Sequence, residues 1–221
     1  MLEWIFGDSD TYMPLVTLII FLTLWKKAGK QETILFAYLI VNIVVFGVSN
    51  ILASRGIHNL FIYHFYSLFE LVIITLYITK IIFKKIHLIF YIITIAYTFF
   101  WIINILLWEP LSLFNSNSAG LANFIILLLC MYYMLDLSKG EDILYFQRLP
   151  GFWIVSAFLI SCAISILGLV AYKYFQQNNL VESGIRIWII ESIATIIKFI
   201  LLIIGLLCYR RRPSIPTILL F

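Results

Sequence analysis

The chain has 221 residues, of which 63% are apolar and 12% charged, with a mean hydropathy of +1.06. A soluble domain carries about twice that share of charge, so composition excludes a soluble enzyme and makes lipid the main solvent. The formal charge of +4 is spread between apolar blocks rather than gathered on one face, which excludes a nucleic-acid groove.

A helix that crosses a bilayer needs about 20 mostly apolar residues. Seven segments qualify, predicting an all-α, seven-transmembrane helix bundle over residues 1–212. The first runs over 11–25. Residues 1–10 ahead of it carry Glu3, Asp8 and Asp10 where a signal peptide requires a basic stretch, so the block is expected to stay as a helix. The others run over 33–54, 60–83, 87–108, 120–136, 151–172 and 185–209. The first and fifth are the shortest. Pro14, Pro110, Pro150, Pro213 and Pro216 all fall at or outside a segment edge, where proline removes no internal helix bond. The loops are short, the longest being about 14 residues between the fifth and sixth segments, which leaves no room for a soluble catalytic domain. No internal repeat is visible. The tail 213–221 is apolar and is expected to lie on the cytoplasmic membrane surface or on a partner.

The basic residues orient the bundle. With the N-terminus outside, one face receives Lys26, Lys27, Lys30, Lys80, Lys84, Lys85, Lys139, Arg148, Arg210, Arg211 and Arg212, and the other keeps Arg55, Lys173 and Arg186. Eleven against three places the first face, and the C-terminus, in the cytoplasm of a plasma or bacterial inner membrane. The fifteenth base, Lys198, lies inside the seventh segment.

At about 1.5 Å of rise per residue, the intramembrane polar groups fall into layers. Asn50, His64, Ser67, Asn104, Asn123, Ser165 and Glu191 occupy the outer half; Glu70 and Lys198 lie near the midplane. Polar groups in hydrocarbon must face the bundle interior or water, so this outer layer reads either as a ligand cavity open to the outside or as a set of interhelical hydrogen bonds. Glu70 and Lys198 are expected to form an intramembrane charge pair, because an unpaired charge at that depth is costly. Tyr63, Tyr66, Ser67, Glu70 and Tyr77 share a stripe of the third helix. Trp188, Glu191, Thr195 and Lys198 share one of the seventh.

Two other stripes read as packing. Tyr97, Trp101, Asn104 and Trp108 share a face of the fourth helix, and Ala157, Ser161, Ser165 and Gly168 give the sixth a seam of small residues, expected in the packed interior. Cys130, Cys162 and Cys208 fall in separate segments without a zinc or redox spacing. His58, His64 and His87 lie at different membrane edges, so no metal site, catalytic residue or cofactor is expected, and the chain does not read as an enzyme.

Seven helices, an outside N-terminus and Lys198 in the last helix resemble microbial rhodopsins in topology. That resemblance implies retinal on Lys198. The neighbours of Glu70, Phe69 and Leu71, differ from the Arg and Trp usual near the counterion, and the sixth helix lacks the usual aromatic and proline cluster, so retinal is not expected. The run Tyr63-His64-Phe65-Tyr66-Ser67-Leu68-Phe69-Glu70 resembles small multipass membrane proteins of Bacteroidota, a likeness that brings no activity with it. Sugar-type seven-helix carriers are similar in helix number but use helix-interrupting prolines and a repeat. The leading expectation is a sensory or ligand-binding protein that signals to a separate cytoplasmic or membrane partner. A structural or accessory subunit comes second and a small-solute transporter third.

Overall fold

The computed structural model describes residues 9–25, 32–84, 87–178 and 181–210. Lys26, Lys27, Lys30, Lys85, Arg211, Arg212 and the tail 213–221 lie outside the described residues. The fold is all helical, with seven helices among the described residues: α1 (Ser9–Leu24), α2 (Glu32–Ser54), α3 (Leu60–Phe83), α4 (Leu88–Leu107), α5 (Ser116–Lys139), α6 (Pro150–Gln177) and α7 (Val181–Arg210), plus a 3-10 turn at Glu141–Arg148 between α5 and α6. Helices α2 to α7 are long and apolar enough to cross a membrane. Helix α1 has 16 residues and spans about 24 Å, less than the roughly 30 Å of a hydrocarbon core.

Several ends differ from the sequence reading for identifiable reasons. Helix α1 begins at Ser9, so Pro14 lies inside it rather than at its edge. The missing proline N–H removes the bond that the Asp10 carbonyl would accept. Helix α5 begins at Ser116, a turn earlier than the apolar pattern shows. A distant carboxylate caps it: Glu109 accepts from the Asn117 N–H at 2.9 Å and from the Ser116 hydroxyl at 2.6 Å. These bonds satisfy donors that a helix start leaves exposed. After α2 the chain reverses at Gly56, whose φ of 68° suits a residue without Cβ. The Ile57 N–H closes that turn on the Leu52 carbonyl at 2.9 Å.

Six of the helices form a closed ring. Going round it, α1 packs on α2, α2 on α3, α3 on α5, α5 on α6, α6 on α7, and α7 returns to α1. Helix α4 stands outside, against α3 and α5. Its position follows from its surface: only Tyr97 and Asn104 are buried, while Ile95, Phe99, Leu106 and Leu107 are exposed, a face suited to lipid chains. Trp108, placed on the packing stripe by spacing, is exposed at the helix end. The small-residue seam of α6 lies in the interior, with Ala157 and Ser161 buried, and α6 and α7 make the most extensive contact in the bundle. A Cβ on Gly205 would meet the Ile154 side chain at 2.8 Å and the Pro150 carbonyl at 3.2 Å, so α7 approaches α6 at the distance only a small residue permits.

The ring has two unlike halves. Toward the end that carries Lys80, Lys84, Lys139 and Arg148, it is filled by an apolar core drawn from all six ring helices, including Phe21, Leu39, Ile78, Cys130, Ile154 and Leu206. Toward the other end, where the α2–α3, α4–α5 and α6–α7 connections lie, polar residues face inward and leave a void. The first end carries the described bases that the sequence reading expects on the cytoplasmic face.

Candidate functional site

The void is a cavity of about 160 Å³, room for roughly five waters. Each ring helix contributes to it: Asp10 from α1, Asn42 and Phe46 from α2, Tyr63, Tyr66, Ser67 and Glu70 from α3, Ala119, Ala122 and Asn123 from α5, Phe158 to Tyr172 from α6, and Ile187 to Phe199 from α7. Phe114 and Asn115 of the α4–α5 connection reach in over the top.

At the floor, Lys198 is 8% exposed. Its ammonium lies 5.9 Å from the centroid of Tyr38 and 5.2 Å from that of Phe199. The Tyr38 hydroxyl, Glu70 and Asp10 all lie within electrostatic range of it. Tyr38 in turn donates to Glu70 Oε1 at 3.2 Å, and Tyr66 donates to the same oxygen at 2.9 Å. Tyr66 also reaches Asn42 Oδ1 at 3.1 Å, and Asn42 donates back to the Tyr38 carbonyl at 2.8 Å. This network joins α2, α3 and α7 around one carboxylate and one ammonium. Among the described residues no ion pair joins Glu70 directly to Lys198; the tyrosine hydroxyl stands between them.

Glu191 lies two turns of α7 farther out. Ser165 donates to its Oε2 at 2.7 Å. Its Oε1 is buried and receives no donor among the described residues. The carboxylate occupies the space a side chain at Gly168 would fill, so a glycine on the α6 seam makes the room for it. Asp10 lies near Thr195 of the same α7 stripe. At the mouth, Phe114, Tyr172 and Trp188 form a cluster of rings, with centroids 4.8 Å, 5.6 Å and 6.0 Å apart.

Of the residues expected in the outer cavity, Ser67, Asn123, Ser165 and Glu191 line it, as do Glu70 and Lys198. Asn50, His64 and Asn104 do not. Asn50 is exposed and donates to Thr11 Oγ1 at 2.9 Å, tying α2 to α1. His64 donates from Nε2 to the Leu113 carbonyl at 3.0 Å, and its own carbonyl accepts from Trp101 Nε1 at 2.8 Å. Asn104 donates to Ser118 Oγ at 2.8 Å and to Glu109 Oε2 at 3.1 Å. Equal depth does not imply equal facing: Asn104 rides on α4, which is outside the ring.

These bonds belong to a second polar cluster that fixes the α4–α5 connection. Its centre is Glu109, buried, which accepts from Ser116, Asn117, Asn104 and, at 3.4 Å, from Lys173 of α6. Lys173 also donates to Asn117 Oδ1 at 2.8 Å. Asn115 Nδ2 adds a bond to the Tyr63 carbonyl at 2.8 Å. The cluster holds Phe114 over the cavity mouth. Its carboxylate is saturated with donors, which marks it as architecture rather than a ligand site.

Sequence reasoning missed Asp10, Asn42 and Tyr38. Asp10 precedes the apolar block and reads as part of a polar lead-in, while Asn42 and Tyr38 are single polar groups in a long apolar helix, without a stripe to single them out. The chain matches no family model, no curated protein and no solved structure.

Proposed function

We propose that this multipass membrane protein binds a small molecule taken from the outer side of the bundle and signals its presence to a separate partner. The observation that carries the reading is the division of the ring: a polar cavity in one half, closed below by an apolar core drawn from every ring helix. Such a concave site with a few polar groups set among aromatic walls is the usual form of a ligand pocket. The short connections leave an output through a partner as the economical arrangement. On this reading the chain performs no chemistry, takes no cofactor and resides in the plasma or bacterial inner membrane.

The accessory-subunit reading draws support from the Glu109 cluster and from Asn50 and His64, whose bonds only join helices. Accessibility separates the two. Ser165→Cys, introduced in intact cells, should react with a membrane-impermeant thiol reagent added from outside and be protected by the bound ligand. Purification from native membrane, followed by mass spectrometry of co-purifying small molecules and proteins, should return both a ligand and a partner. An unreactive Ser165→Cys variant, together with a partner but no small molecule, would favour the accessory subunit.

A further inference from the structure

The acidic and basic groups of the cavity are unequal in number. Asp10, Glu70 and Glu191 face a single ammonium among the described residues that line it, Lys198. Lys198 already has the Tyr38 hydroxyl, Glu70 and Asp10 close by. Glu70 is served by two tyrosine hydroxyls, and Asp10 lies near Thr195. Glu191 has one donor among the described residues, Ser165, and its other oxygen is buried against Gly168. A carboxylate with a single hydroxyl donor is poorly compensated, and a cation in the adjoining cavity would balance its charge.

The walls agree. Trp188 sits one turn outward of Glu191, and both line the cavity, so an ion against Glu191 lies beside an indole. Phe114 and Tyr172 back the indole at 6.0 Å and 5.6 Å. Aromatic faces, tryptophan most of all, attract ammonium groups bearing methyl or methylene carbons. A metal ion would instead need several converging oxygens, and among the described residues no group of three or more His, Cys, Asp or Glu is placed to hold one. An anion would face three carboxyl groups. The volume of about 160 Å³ is close to that of a cavity that holds benzene, which fits a ligand head of roughly six to eight non-hydrogen atoms.

We propose that the cavity binds a small organic ammonium ion, with the Glu191 carboxylate as its counter-charge and Trp188 as its wall. This assignment rests on the ligand-binding reading and names its ligand class. The test uses the purified full chain in detergent and four probes: choline, its neutral tert-butyl isostere, the tert-butyl carboxylate of the same length, and potassium chloride at equal ionic strength. Titration calorimetry should show choline binding at least tenfold more tightly than the neutral isostere, with no binding of the carboxylate and none attributable to potassium. Glu191→Gln should erase the preference for choline while leaving the affinity of the neutral isostere in place. Trp188→Leu should lower choline affinity more than that of the isostere, which covers the case in which Glu191→Gln fails to fold. Equal binding of choline and its isostere, or tighter binding of the carboxylate, overturns the ammonium assignment and leaves ligand binding standing. Potassium reproducing the choline signal overturns it in favour of an inorganic cation. No binding by any probe overturns it as well, and if Ser165→Cys is also unreactive, the ligand-binding reading falls with it.

Discussion

Tyr38 stands between Lys198 and Glu70: its hydroxyl donates to Glu70 Oε1 at 3.2 Å and lies within electrostatic range of the ammonium. The two charges therefore feel each other through a shared hydroxyl in a buried site, where bonds to charged groups are worth more than in water. Glu70→Gln and Lys198→Met should each destabilise the protein, and the double variant should lose about 1 kcal/mol less than the sum. In a Tyr38→Phe background that coupling should shrink by half or more. Thermal unfolding in detergent measures all three. Full additivity in the native background would show that Lys198 and Glu70 are independent.

The Glu109 cluster predicts an asymmetry between its two ends. Glu109 is buried and accepts from four residues, whereas the Lys173 side chain is 42% exposed. Glu109→Ala should remove a helix cap and strand several donors, costing about 2–4 kcal/mol. Lys173→Met should cost under about 1 kcal/mol, as half-exposed ion pairs do. Midpoints of thermal unfolding rank the two, and a Lys173 variant as unstable as the Glu109 variant would contradict this geometry.

Close approach of α6 and α7 makes two glycines vulnerable. Gly205→Ala would drive a methyl group toward Ile154 and the Pro150 carbonyl, and overpacking of this kind costs about 1–3 kcal/mol. Gly168→Ala has a different target, the flexible Glu191 side chain. It should leave stability nearly unchanged but displace the carboxylate and weaken choline binding by about tenfold or more, the size expected when a charged partner is moved out of reach. Calorimetry alongside unfolding distinguishes the two effects; a stable Gly205 variant would refute the packing claim.

The orientation is open to labelling at two exposed connections. Ser112 lies on the end with the cavity mouth and Gly140 on the opposite end. With the N-terminus outside, Ser112→Cys should react with an impermeant reagent in intact cells and Gly140→Cys only after lysis. The reverse pattern would invert the bundle and turn the cavity to the cytoplasm.

The helices were legible because burial in lipid demands long apolar runs, and such runs are read from composition alone. Facing was harder. Depth placed Asn104 and Ser67 in one layer, yet α4 stands outside the ring and α3 within it, so one side chain anchors a loop and the other lines the cavity. Helix order around a ring depends on packing between elements far apart in sequence, which a single helix's pattern does not record. The start of α5 was hidden for a similar reason: its cap is supplied by Glu109, seven residues ahead of Ser116, instead of by a neighbouring residue. Trp188, Glu191, Thr195 and Lys198 were readable as one face of α7, since helical periodicity alone puts them there.

The solid half of the ring also decides where a transmembrane voltage acts. An electric potential falls across the part of the protein that excludes water and ions, and one charge moved through 100 mV exchanges about 2.3 kcal/mol. In this bundle the insulating part is the apolar core around Ile78, Ile154 and Leu206, on the far side of Lys198 from the cavity. A cation that enters a water-filled vestibule and stops at Glu191 crosses little of that drop. Its affinity should therefore be the same in polarised and depolarised membranes, whereas at the edge of the insulator the voltage acts with opposite sign on Lys198 and Glu70.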